Sequence, residues 1–165
     1  MTPLATLVRE PIDPMAVVRA VAAPANGAVL LFLGAVRQVN DGRDVTGIDY
    51  AAYEAMARRE LETIVAEGAA TFGTPHVAVV HRLGELTVEE VSVAIAVGHA
   101  HRDAAYACSR WVIEELKRRV PIWKREHYTD GTREWVDPTR ESGAGIGSRV
   151  PGRSVSSETS PEAAP

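Results

Sequence analysis

Lys117 and Lys124 stand on either side of Pro121 in the stretch that runs from Leu116 to Glu126. Five cations fall between Lys117 and Arg125 with no acid among them, in a chain whose formal net charge is −4. A local excess of positive charge attracts anions, and amines crowded by other cations release protons more readily than isolated ones. Such amines can act as acid, base or acyl acceptor. The plainer reading is a solvated basic helix end, which the helix dipole favours. Pro121 places the two lysines on different elements, one closing a helix and one in the segment that follows.

Other residue types point to anion binding. His101 and Arg102 sit where an apolar strand gives way to a helix, and a helix N-terminus with an arginine fork beside it suits phosphate. The alternative for His101 is a helix cap. Arg37 follows the strand-like run that ends near Val36 and projects from a strand end; it is expected to converge with His101 and Arg102, although 64 positions separate it from His101. His99 and His101 invite a metal reading, but no third ligand follows at a useful spacing, so no metal is expected. Cys108 lies mid-helix on an apolar stripe and reads as a structural thiol. A hydrolase built on Ser109 or Cys108 with His101 lacks the strained turn that would expose its nucleophile. Gly143, Gly145 and Gly147 follow no strand and carry no phosphate-loop signal.

The elements that must position these residues are legible in outline. Asp13-Pro14 opens a short helix to about Val21. Ala28 to Val36 is an apolar run consistent with a buried strand, and Asn40 to Arg43 is a turn or loop. Val45 to Tyr53 alternates as an antiparallel partner strand. Glu54 to about Phe72 is a helix closed by Gly73. His76 to Arg82 is a strand, Gly84-Glu85 a turn, and Val91, Val93, Ile95 and Val97 share one face of another strand. A helix from about Arg102 to Arg119 stops at Pro121. Ile122 to Tyr128 and Thr132 to Val136 flank Asp130-Gly131, a hairpin signal. The class is α+β.

Composition narrows the function classes. The chain has 165 residues, 45% hydrophobic and 24% charged, which fits one globular domain with a core of its own. The lone Cys108 excludes an internal disulfide and suits a reducing compartment. The first residues lack a sustained apolar run, which argues against a signal peptide, and no stretch has the length of a membrane helix. The expected location is cytoplasmic. A pI near 5.7 argues against a broad nucleic-acid surface. The residues after Ser142 are rich in Gly, Ser, Pro and Glu, and are expected to form a disordered tail, 143–165, behind a folded domain, 1–142.

In order and spacing these segments resemble the large, catalytic subunit of molybdopterin synthase. The resemblance rests on Gly27-Ala28, Phe32 to Arg37 and Asn40, Tyr53 to Ala57, His81 to Leu86, His101-Arg102 with Ala104 to Tyr106, and Leu116-Lys117 with Pro121 to Glu126. Trp135-Val136 and Arg140 to Ser142 complete it, so it spans roughly residues 5 to 142. The chain differs from the family pattern at His99, where serine or threonine is frequent.

The resemblance implies an α/β hammerhead-like fold with an additional antiparallel subdomain. It implies a sulfurtransferase of molybdenum-cofactor biosynthesis that converts cyclic pyranopterin monophosphate to molybdopterin by inserting two dithiolene sulfurs. The sulfurs come from the thiocarboxylated Gly-Gly terminus of a small ubiquitin-like subunit, and two large subunits form a homodimer inside a 2:2 heterotetramer. By the same resemblance, Lys117 and Lys124 are catalytic, and Phe32, Arg37, His101, Arg102 and Arg140 bind substrate. Neither cofactor nor metal, and neither nucleic acid nor membrane, is implied. The alternative is a non-catalytic scaffold that only binds the sulfur carrier; two lysines at one site argue against it.

Overall fold

Polar punctuation sets most element boundaries in the computed structural model, which describes residues 4–136. Asp13 accepts the backbone N–H of Met15 and caps α1 (Pro14–Ala20), with proline in its first turn. Gly73, at φ 68°, closes α2 (Glu54–Phe72) in the left-handed conformation that glycine adopts without strain. Pro121 stops α3 (Arg102–Arg119), leaving Val120 extended. Asp41 and Gly42 both take positive φ, and link β3 (Val39–Asn40) to β4 (Arg43–Ala52).

The first sheet has the order β1-β5-β7-β2, formed by Leu4–Val8, Val77–Arg82, Val91–His99 and Ala28–Ala35. β1 and β5 are parallel; the other pairs are antiparallel. Alternation along β7 sends Val93, Ile95 and Val97 toward α2 and α3, where Leu61, Ile64, Cys108 and Val112 complete the main core. Ala94 and Ala96 point the other way, against Val17 and Val21 of α1. Each fully buried Val, Leu or Ile contributes about 1.5–3 kcal/mol. On α2, Gly68 faces Trp111 and Val112 so closely that an added Cβ would sit 3.2 Å from a valine methyl.

The second sheet is antiparallel. β4 carries β3 and β6 (Gly84–Thr87) as neighbours and pairs on its other edge with β8 (Ile122–Tyr128), which pairs with β9 (Arg133–Val136). The class is α+β, with the antiparallel sheet set beside the helix-covered one.

Three expectations change. Gly84-Glu85 begins a strand, β6, rather than forming only a turn; the positive φ of Gly84 makes the corner before the strand pairs with β4. The segment 45–53 does not pair with the first apolar strand. That strand, β2, takes β7 as partner, while Val36 exchanges hydrogen bonds with Glu89 and Glu90 and leaves the sheet after a bulge at Gly34/Ala35. Nor is β2 a buried strand: it lies at the end of its sheet, with Val29 46%, Phe32 37% and Leu33 40% exposed.

Candidate functional site

A cavity of about 670 Å³ opens between the end of α3, strands β2 and β7, and one face of the second sheet. Helical geometry delivers Lys117 to it, along with Ile113 and Leu116 one turn and one residue earlier. Strand alternation delivers Lys124, Glu126 and Tyr128 to it from β8, opposite Tyr50 and Ile48 of β4. Phe32 and Arg37 come from β2 and the segment after it. Four of the expected residues, Phe32, Arg37, Lys117 and Lys124, therefore share one cavity.

A polar network fixes the floor. The Lys124 Nζ lies 3.2 Å from Glu126 Oε1, and both side chains are buried. Glu126 also accepts the Asn40 amide on both oxygens, at 2.9 and 3.0 Å, and the Tyr128 hydroxyl at 2.9 Å. Asn40 in turn accepts Arg37 Nη2 at 3.0 Å. Burial, with the Glu126 carboxylate beside it, pushes the Tyr128 phenol up to about 12, so it stays a donor. The guanidinium of Arg43 stacks 3.4 Å from the centre of the Tyr128 ring. His81 meets Tyr50 edge to face in the same cavity, and burial brings its imidazole down to about 4, which keeps it neutral.

The basic stretch does not act as one cluster. Arg118 pairs with Glu115, Arg119 with Glu60, Glu67 and Glu115, and Arg125 with Asp49. Successive helix residues turn through 100°, and successive strand residues alternate faces, so only the two lysines of the five cations reach the cavity. Lys124 meets a buried carboxylate there, where the sequence suggested crowding by cations.

His101 and Arg102 lie elsewhere. The β2–β7 register sets Ala28 opposite His99 and Ala35 opposite Val91. Arg37 thus follows one end of the pair and His101 the other, roughly 23 Å apart along the strands. Arg102 opens α3 and Lys117 nearly closes it, roughly 22 Å along the helix. The expected convergence of Arg37, His101 and Arg102 does not occur within one chain. His101 stands at the N-cap, but its side chain makes no capping bond. Arg140 and the tail 143–165 lie outside the described residues.

The remaining assignments are clearer. Cys108 and Ser109 are buried in α3 and do not line the cavity; burial pushes the Cys108 thiol up to about 11. Asn40, Glu126 and Tyr128 had no assigned role in the sequence reading. The signal for Glu126 and Tyr128 was their period-two spacing with Lys124 ahead of Asp130-Gly131; Asn40 stood only in a segment that carries the family resemblance. On the opposite face of the second sheet, Ala51, Ala52, Tyr53, Trp123 and Trp135 line a shallow apolar shelf. Tyr53 packs edge to face on Trp123, and Trp135 borders both shelf and cavity.

Comparison with known proteins places these features. The family model described as MoaE protein matches residues 7–119. A molybdopterin synthase catalytic subunit of Emericella nidulans is 40% identical over 134 residues, 81% of this chain and 69% of the relative. The crystal structure of molybdopterin synthase from Staphylococcus aureus superposes with a TM-score of 0.74 at 34% identity, covering 79% of this chain and 94% of that one. A complex of subunits 1 and 2 of molybdopterin-converting factor from Helicobacter pylori shares the fold, with a TM-score of 0.64 at 21% identity, over 80% of this chain and 89% of its own.

Proposed function

This chain belongs to the MoaE family of molybdopterin synthase catalytic subunits, and we propose that its Lys117–Lys124 cavity is where the dithiolene sulfurs are inserted. The activity is that of a sulfurtransferase in molybdenum-cofactor biosynthesis, which makes molybdopterin from cyclic pyranopterin monophosphate. One observation carries the assignment of the site: two lysines from separate elements enter one cavity over a buried carboxylate. A module that only bound a peptide tail would not need this arrangement.

The sulfur donor is a small ubiquitin-like subunit whose terminal glycine carries a thiocarboxylate. The thiocarboxylate sulfur bonds to a pterin side-chain carbon as an oxygen substituent leaves that carbon, giving a thioester; water then cleaves the acyl C–S bond, leaving the sulfur on the pterin and the small subunit with a free carboxylate. Lys117 and Lys124 supply the groups that move protons or hold the acyl. Only residues without side chains let a tail approach a narrow site closely, which suits a Gly-Gly end. The apolar shelf continues from the cavity through Trp135 and offers the body of that subunit a seat.

Phe32, Arg37 and Arg140 bind the pterin phosphate, and His101 and Arg102 join them from a second copy of the chain. The exposed apolar side chains of β2 favour a homodimer, and β2 ends its sheet. Two β2 strands set antiparallel about a two-fold axis would bring the Ala28 end of one beside the Ala35 end of the other. With one small subunit on each large one, the assembly is a 2:2 heterotetramer. Among the described residues no helix is long and apolar enough to cross a membrane; we place the enzyme in the cytoplasm, where the buried Cys108 thiol stays reduced. Residues 1–142 form the catalytic unit, and 143–165 are dispensable for sulfur transfer; a truncation after Ser142 that lost activity would overturn this division.

The decisive experiment incubates the chain with thiocarboxylated small subunit and pterin monophosphate, and measures the dithiolene product. Lys117→Ala should lower turnover on the order of a hundredfold or more while leaving the fold and partner binding intact. Product formation within about threefold of the parent would remove Lys117 from the chemistry.

A further inference from the structure

His99 is held at both ring nitrogens where β7 hands over to α3. Its Nε2 lies 3.1 Å from the carbonyl oxygen of Phe72, the last residue of α2, and its Nδ1 lies 2.8 Å from the backbone nitrogen of His101. The Phe72 carbonyl can only accept and the His101 N–H can only donate. The ring must therefore carry its proton on Nε2 and a lone pair on Nδ1. Both contacts require the neutral imidazole.

That bond does work that His101 does not do for itself. His101 has the extended backbone of an N-cap, φ −123° and ψ 133°, yet its side chain caps nothing. The anchor of this turn is His99, tied on its far side to the C-terminus of α2. The His101 imidazole and Arg102 are left pointing outward from a fixed backbone, both exposed.

We propose that His99, in the tautomer these two contacts select, is a positioning residue for the anion-binding pair His101–Arg102. The proposal rests on the reading that this pair holds the substrate's phosphate. The groups around His99 are the Phe72 carbonyl of α2, Ala28 opposite it on β2, and His101 of α3, whose ring centroid is 6.0 Å away. Arg102 and Asp103 form the first turn of α3, and the segment before β5 brings His76, whose carbonyl accepts from Gly98.

Asparagine at 99 is the conservative test, because its side-chain oxygen can accept the N–H two residues on. In the full assembly with thiocarboxylated small subunit, His99→Ala should raise the KM for pterin monophosphate about fivefold at pH 7.5, with kcat nearly unchanged. His99→Asn should restore it. A His99→Asn variant as impaired as His99→Ala overturns the positioning role. His101→Ala with an unchanged KM overturns the reading of the anion pair and this proposal with it. His101→Ala raising KM while His99→Ala does not would sink the positioning role alone.

Discussion

Lys124 and Glu126 lie on one face of β8 with Nζ and Oε1 3.2 Å apart, and the Glu126 side chain is only 1% exposed. A buried carboxylate with three donors around it has a fixed place. Lys124 inherits that place through the ion pair, and Arg37 inherits it through Asn40. The amine proposed to be catalytic and the expected phosphate ligand are thus held by the same acid.

Glu126→Gln keeps the shape but removes the charge, and puts an N–H where an oxygen accepted. Breaking a buried pair on one side costs about 3–5 kcal/mol. We expect a fall in melting temperature together with a loss of turnover of at least tenfold, since a misplaced reacting group is costly. Normal turnover in a folded Glu126→Gln protein, measured by product assay beside a thermal melt, would show that Lys124 finds its position without this acid.

His81 makes stability depend on pH. Burial lowers its folded-state value from the ordinary 6.5 to about 4. Between those values the unfolded chain binds a proton that the folded chain refuses, so stability falls as pH drops through this window. The loss from this one group between pH 7 and pH 5 is about 2 kcal/mol. Melting curves of the parent should fall faster over that range than those of His81→Gln. Parallel curves would mean that His81 titrates normally in the fold.

Helix limits were legible because each had a chemical mark: Asp13-Pro14, Gly73 and Pro121 end or open helices where they stand in the sequence. The β8–β9 hairpin was legible from Asp130-Gly131. Strand partners were not, because the pairing of β2 with β7 joins residues more than 50 positions apart and no local signal encodes it. The basic stretch misled for a related reason. Besides Glu115 one turn back on α3, its arginines find carboxylates on α2 and β4 that only the folded arrangement brings near. Lys117 and Lys124 survived as a pair because helix phase and strand phase both point them inward.

The shelf offers a test of docking that leaves the chemistry alone. Tyr53 is 69% and Trp135 60% exposed, a large apolar area for a free surface. Aromatic anchors at interfaces often cost 2 kcal/mol or more when truncated, about thirtyfold in affinity. Trp123→Ala should weaken binding of the small subunit by about that factor, read by calorimetry, while saturating concentrations of partner recover most of kcat. Unchanged affinity would move the seat of the partner to another face.

The separation of Arg37 from His101 within one chain makes the strongest demand on assembly. If each site takes Arg37 from one copy and His101 from the other, neither Arg37→Ala nor His101→Ala homodimers contain an intact site. A mixed dimer of the two variants contains one damaged twice and one whole. At low substrate concentration, where both variants are impaired, refolding them together in equal amounts should therefore recover about a quarter of parental activity, the share expected for random pairing about a two-fold axis. The same variants mixed without exchange of chains should stay impaired. Recovery absent from a verified mixed dimer would mean that His101 and Arg37 never serve one substrate, and would return His101 to a local role at the start of α3.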